Sequence, residues 1–196
     1  MLINNNRGYY EPALAASIQG LTQGSDIPSD SSFFTAQALG SQYFRTITGG
    51  YEVWTKVAND GLATDWLGEG AIMDTFGTAD MTDGGSTTGT FVMTGDVPAK
   101  SFGHQAVALN ITGWAGDSSC TIKVGDGSDV DRYSTGTPSV FSSLVYLSLG
   151  AASGTAAHAA AVTSPTITLT SGSDFTSVVS NGSGEVTVLL TYKVVA

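Results

Sequence analysis

The chain is 196 residues long, enough for one good-sized domain or for a domain with an arm, and 41% of it is hydrophobic, enough for a real core. Only 12% of residues are charged, about half the usual globular share of roughly 25%. Seven Lys and Arg stand against 17 Asp and Glu, a net charge of −10; this excludes a basic face for nucleic acid and disfavours an anionic membrane surface, and the acidic excess serves solubility.

The N-terminus, MLINNNRGYY, has no basic region followed by an apolar run. No stretch approaches the roughly 20 apolar residues of a membrane helix. The expectation is synthesis in the cytosol, with neither secretion by the usual route nor anchoring. A short helix is expected from Pro12 in YYEPALAASIQGL, followed by a polar link in TQGSDIPSDSS. QYFRTITGGYEVWTKV (42–57) reads as a hairpin turning at Gly49-Gly50, and a further turn is expected at Asp60-Gly61. TADMTDGGSTTGT (78–90) reads as a loop into a β domain. Aromatics crowd this first third: Tyr9, Tyr10, Phe33, Phe34, Tyr43, Phe44, Tyr51, Trp54 and Trp66. A thin segment cannot bury so many rings alone, so they must pack on the main domain or on another chain.

From about Thr90 the pattern is all-β. QAVALNITGW (105–114) puts Val107, Leu109 and Ile111 on one face, and CTIKV (120–124) does the same with Cys120, Ile122 and Val124. FSSLVYLSL (141–149) is an apolar run rich in strand formers. AASGTAAHAAA (151–161) is ambiguous between a loop and a short helical turn. TITLT (166–170) places Ile167 and Leu169 between threonines. GEVTVLLTYKV (184–194) alternates with period two, Val186, Val188, Leu190, Tyr192 and Val194 against Thr187, Thr191 and Lys193. Gly- and Asp-rich turns separate these runs. The expected architecture is all-β: a jelly-roll or β-sandwich domain over 90–196, preceded over 1–89 by an extended N-terminal arm containing a small β-hairpin.

Enzyme chemistry finds little footing. The two histidines, His104 and His158, have no ligand spacing, and no HExxH, GxSxG, SxxK, GxxxxGK[ST] or GxGxxG occurs. Cys120, the single cysteine, forms no internal disulfide and reads as a small buried side chain. The run TIKVGDGSDVDRY (121–133) is the one acidic cluster of interest. Asp126, Asp129 and Asp131, with Asp117 near, are weak candidates for a cation, since calcium takes six to eight oxygens from such loops. The EF-hand order and its distal glutamate are absent. Two carboxylates across a cleft would suit a glycoside hydrolase, a reading that rests on Asp126 or Asp129 and lacks supporting motifs. The plain reading is a tight turn, for which Asp and Gly are the residues required. No cofactor is expected.

GDVPAKSFGHQAVALNIT, CTIKVGDGSDVDRYSTGT and GSGEVTVLLTYKV together resemble β domains of tailed-bacteriophage virion proteins. Those domains have an IPAG-like entry, a VGDGTDADRY-like turn and a final strand of the G-x-V-x-V-x-V-x-Y type. GGYEVWTKVANDGLATDWL is similar to short β segments of phage structural proteins with a VYVKT…TDW pattern. The likeness runs from about Tyr43 onward. DVPAK departs from it by placing Lys100 where glycine is common, which could change that turn. The resemblance implies no catalytic residues and makes the 121–133 run a sharp connection. It implies a capsid decoration, or cement, protein on the outer surface of the virion, made in the host cytoplasm. Such a protein would bind the assembled head as a homo-oligomer, a trimer favoured, and bridge major capsid subunits. Tyr9, Tyr10, Phe33, Phe34, Tyr43 and Phe44 are the candidate capsid or oligomer contacts; packing against their own domain is the alternative. A second reading is a tail, fibre or spike component binding host glycans, with Trp54, Trp66 or Trp114 stacking on a sugar ring.

Overall fold

Period-two alternation governs the longest strands and, through them, the architecture. The computed structural model describes residues 21–24, 26–29, 34, 36–152 and 158–196. The strands are β1 (Leu21–Gly24), β2 (Gln42–Ile47), β3 (Gly50–Lys56), β4 (Trp66–Gly77), β5 (Thr82–Asp83), β6 (Thr88–Val92), β7 (Ser101–Thr112), β8 (Cys120–Gly125), β9 (Leu144–Ala151), β10 (Thr166–Ser171) and β11 (Glu185–Val195). A short helix, α1 (Phe175–Asn181), and two 3-10 turns, Ala63–Asp65 and Thr78–Asp80, complete the described elements.

The fold is an all-β sandwich. A seven-stranded sheet in the order β1-β2-β3-β4-β11-β7-β9 faces a four-stranded sheet in the order β5-β6-β10-β8. Pairing is antiparallel except between β1 and β2. The seven-and-four division differs from the eight strands of a simple jelly roll. β11 holds the large sheet together, registering with β4 from Glu185↔Gly77 to Val195↔Leu67 and with β7 on its other side. Val186, Val188, Leu190, Tyr192 and Val194 are buried, as the alternation requires, and meet Cys120, Ile122, Val124, Ile167 and Leu169 from the small sheet in one core.

The hairpin is present, with β2 and β3 joined through Thr48-Gly49 and Gly49 in the left-handed region at φ 73°. It does not stand apart in an arm. β3 pairs with β4 and β4 with β11, so β2, β3 and β4 share one sheet with β7, β9 and β11, and that sheet runs across the position expected as a boundary at 89–90. The physical reason is burial: β4 alone would leave Trp66, Ile72 and Phe76 in water, whereas here each is at most 1% exposed. The expected loop over 78–90 holds a 3-10 turn, β5 and the start of β6. The helix expected from Pro12 lies outside the described residues.

β7 departs from its expected facing. Ala106 and Ala108 are buried, while Val107 and Leu109 lie half-buried on the opposite side. Asn110 then adopts φ 50° where the register to β11 slips, and Ile111 returns to the core. A bulge inserts one extra residue and so reverses which parity faces inward. Alanines fill the inner positions here, beside Leu190 and Val188 of β11.

Candidate functional site

The acidic run folds as a turn. The Asp126 carboxylate accepts from the Asp129 N–H at 2.9 Å, from Ser128 Oγ at 2.9 Å and from the Ser128 N–H at 3.2 Å, and it pairs with the Arg132 guanidinium. Burial pushes its carboxyl up, but the Asp129 N–H, Ser128 and Arg132 outweigh that and hold it below the ordinary range. Asp131 pairs with Lys123 at 2.9 Å, and Lys123 lowers its pKa. Asp129 gives its carbonyl to the N–H groups of Asp126 and Arg132. These oxygens are committed to closing the turn and turning the chain back along β8, where the Tyr133 N–H reaches Val124 O at 2.9 Å. Among the described residues no group of three or more His, Cys, Asp or Glu is arranged to hold a metal ion.

Asp117 is not part of this cluster. It precedes β8 while Asp126 follows it, so six residues of strand separate them by about 20 Å at roughly 3.3 Å per residue. Its carboxylate accepts from the N–H groups of Ser118, Ser173 and Asp174 and from Ser173 Oγ, tying the turn after β7 to the start of α1. Those donors, Ser118 first, hold its pKa far below the usual range.

The histidines and the cysteine differ in their burial. His104 is fully buried, with Nε2 2.9 Å from Ser101 Oγ and its ring 4.8 Å from that of Tyr133. His158 is exposed and bridges to Phe102. Cys120 is buried at 0% exposure, and desolvation pushes its thiol up to about 12.

The aromatic candidates divide. Phe34 and Tyr43 are core residues, their rings in edge contact at 5.1 Å, and Phe34 also meets Trp66 at 5.8 Å. For these two, packing within the chain replaces the expected intermolecular contact, because β2 lies on the same sheet as the rest of the core. Phe44, one position on and therefore on the other face, is exposed. Tyr9, Tyr10 and Phe33 lie outside the described residues. Trp54, Trp66 and Trp114 are at most 1% exposed, so none can stack on a sugar.

Among the described residues, nothing covers the outer face of the large sheet. Met73, Leu189 and Val107 stand in one row across β4, β11 and β7, and Thr75, Thr187, Leu109 and Tyr146 form the next. Tyr51, Met73 and Tyr146 are each more than half exposed. Charge on these strands' outward positions is confined to the Glu69–Lys193 pair, 3.1 Å apart, and to Glu185. A cleft of about 350 Å³ crosses the same face between Tyr51, Glu69, Gln105, Thr191 and Lys193, floored by Gly70 and Ala71. Facing residues were not readable from local pattern, since β3 turns Glu52, Trp54 and Lys56 inward and Tyr51, Val53 and Thr55 outward.

Comparison with known protein families, curated proteins and solved structures finds no match to this chain.

Proposed function

We propose that the chain is a virion structural protein of a tailed bacteriophage, of the capsid decoration type. It would bind the assembled head as a homo-oligomer and bridge major capsid subunits. The observation that carries this reading is the broad outer face of the seven-stranded sheet, poor in charge and studded with Tyr51, Met73 and Tyr146. Apolar surface of that extent on a chain of net charge −10 suits a face completed by another protein. Binding only the assembled shell stabilises it by mass action, and a trimer at a threefold position would multiply weak contacts. The turn at Lys100 also supports the phage resemblance. Lys100 sits at φ 62°, in the left-handed region that glycine favours, which is consistent with a position where glycine is common.

A second reading, a tail, fibre or spike component, is favoured by the cleft beside Tyr51, where an exposed ring stands among Glu69, Gln105, Thr191 and Lys193. Imaging of particles with and without the protein tests both. Density repeated over the head surface, with particles that rupture at lower temperature when it is missing, is the expected result. Density confined to the tail selects the second reading, and absence from particles overturns both.

A further inference from the structure

The two sheets end in four edges, and they are treated differently. β5 is two residues long. β8 is shielded by residues 133–140: the Ile122 N–H reaches Pro138 O at 3.1 Å and the Val140 N–H reaches Cys120 O at 2.9 Å. β1 is four residues long. Among the described elements β9, at eight residues, is the longest edge strand, and it carries neither charge nor proline, two of the usual guards of an edge.

Among the described residues, only the far end of β9 is covered. The Leu149 carbonyl accepts from the N–H groups of Thr135 and Gly136, both at 3.2 Å, so the polar backbone of Leu149 points away from β7. Alternation aims the N–H and C=O of Leu147 and Val145 the same way, and among the described residues no turn or loop bonds to them. Side chains tell the same story. Alternation puts Val145 on the core side of the sheet with half-buried Leu147 and fully buried Leu149, yet Val145 is 80% exposed. It stands where a core residue stands, with no core above it.

We propose that β9 pairs edge to edge with β9 of a second copy, antiparallel about a twofold axis, making one continuous sheet from two chains. This deepens the homo-oligomer of the proposed function and rests on it; it supplies the contact that would link neighbouring oligomers on a shell. Charge chooses the partner. Residues 134–173 contain no Asp, Glu, Lys or Arg, in a chain whose net charge is −10. Two copies therefore meet at this edge without opposing carboxylates, which most other approaches would bring together. An edge that meets itself must be self-complementary. Centring the axis on Tyr146 sets Val145 against the partner's Leu147, matching every free N–H and C=O of both residues. Shifting the centre toward Leu149 would collide with Thr135 and Gly136. Val145 and the partner's Leu147 then cover each other on the core side. Tyr146 faces the partner's Tyr146 as a non-hydrogen-bonded pair, with Cα atoms about 4.5 Å apart, within the range a disulfide spans.

Two variants of the full chain test this. Val145→Lys puts a charge at the edge, against the partner's Leu147, without touching the core, and light scattering should show the molar mass fall twofold from that of the native chain. Tyr146→Cys should give a covalent dimer under oxidation, seen on a non-reducing gel. Met73→Cys, equally exposed on the same sheet face, should give none, and buried Cys120 does not compete. A native chain that is monomeric, its edge covered from within, overturns the proposal, as does a mass unchanged by Val145→Lys or cross-linking no greater at 146 than at 73. Particle binding by a chain that fails these tests leaves the proposed function standing without this contact; a twofold fall in mass without particle binding does the reverse.

Discussion

The Tyr192 hydroxyl donates to Glu52 Oε1 at 2.9 Å, joining β11 to β3 across 140 positions of sequence and across the intervening β4. The other oxygen of the same carboxylate accepts from Trp54 Nε1 at 2.9 Å and from Arg45 at 2.8 Å. Glu52 is fully buried and Tyr192 2% exposed. Desolvation, and then the neighbouring carboxylate, raise the Tyr192 pKa far above its usual value, which favours the protonated, donating hydroxyl.

Removing the acceptor strands these donors. Glu52→Ala should destabilise the protein by about 3 kcal/mol or more, since each buried unsatisfied donor costs about 1–3 kcal/mol. Glu52→Gln, which keeps a carbonyl for Tyr192, should lose less. Chemical denaturation of the two variants checks the order; equal losses would show that side-chain volume, not hydrogen bonding, matters there.

Acid should weaken the fold through Asp117, Asp126 and Asp131, whose folded pKa values all lie below the ordinary range. A depressed folded pKa means the unfolded chain binds more protons, so stability is fully present above the unfolded value of about 3.9 and is lost as pH falls toward the folded one. The thermal midpoint should hold near neutral pH and drop below about pH 4. Asp117→Asn should flatten that drop; an unchanged slope would remove Asp117 from the account.

Gly68 on β4 faces the core, and a Cβ there would stand 2.8 Å from Val194 Cγ1 and 2.9 Å from the Trp54 ring. Both neighbours are packed. Gly68→Ala should cost about 1–3 kcal/mol by overpacking, measured as a lower denaturation midpoint with an unchanged slope.

Lys100 holds a left-handed backbone and donates from Nζ to Ala196 O at 3.1 Å. Lys100→Gly relieves about 1 kcal/mol of backbone strain and gives up a hydrogen bond worth about 0.5–1.5 kcal/mol, so stability should change little. Lys100→Val, a β-branched residue at positive φ, should destabilise clearly. A large loss in the glycine variant would mean that the C-terminal contact, not the turn, secures this corner.

β8 and β11 were legible because each crosses the sandwich with one face on a single core, so hydropathy and facing agree; in β10 Ile167 and Leu169 are core as expected, but Thr166 and Thr168 on the other face are buried too. The hairpin was legible because Gly49-Gly50 marks a turn in any context. β7 was not, since Asn110 shifts parity by a backbone choice that no hydropathy pattern records. β3 was not, because Glu52 and Lys56 are buried by partners far away in sequence: Tyr192 for the first, and the Phe34 carbonyl, 3.3 Å from Nζ, for the second. The acidic turn was read correctly from Asp and Gly alone, but Asp117 was placed beside it, where a strand in fact intervenes. The exposure of β9 was hidden too, because an apolar strand reads the same at an edge as in a core.

By itself, then, the sequence determined the class of fold, the long alternating strands and the turn chemistry, all of which depend on neighbours within a few residues. Only the tertiary structure decided which strands share a sheet, which rings are core, and which apolar strand is left at an open edge. Those depend on the order in which strands assemble side by side, and hydrogen bonds between distant strands carry no trace in local composition.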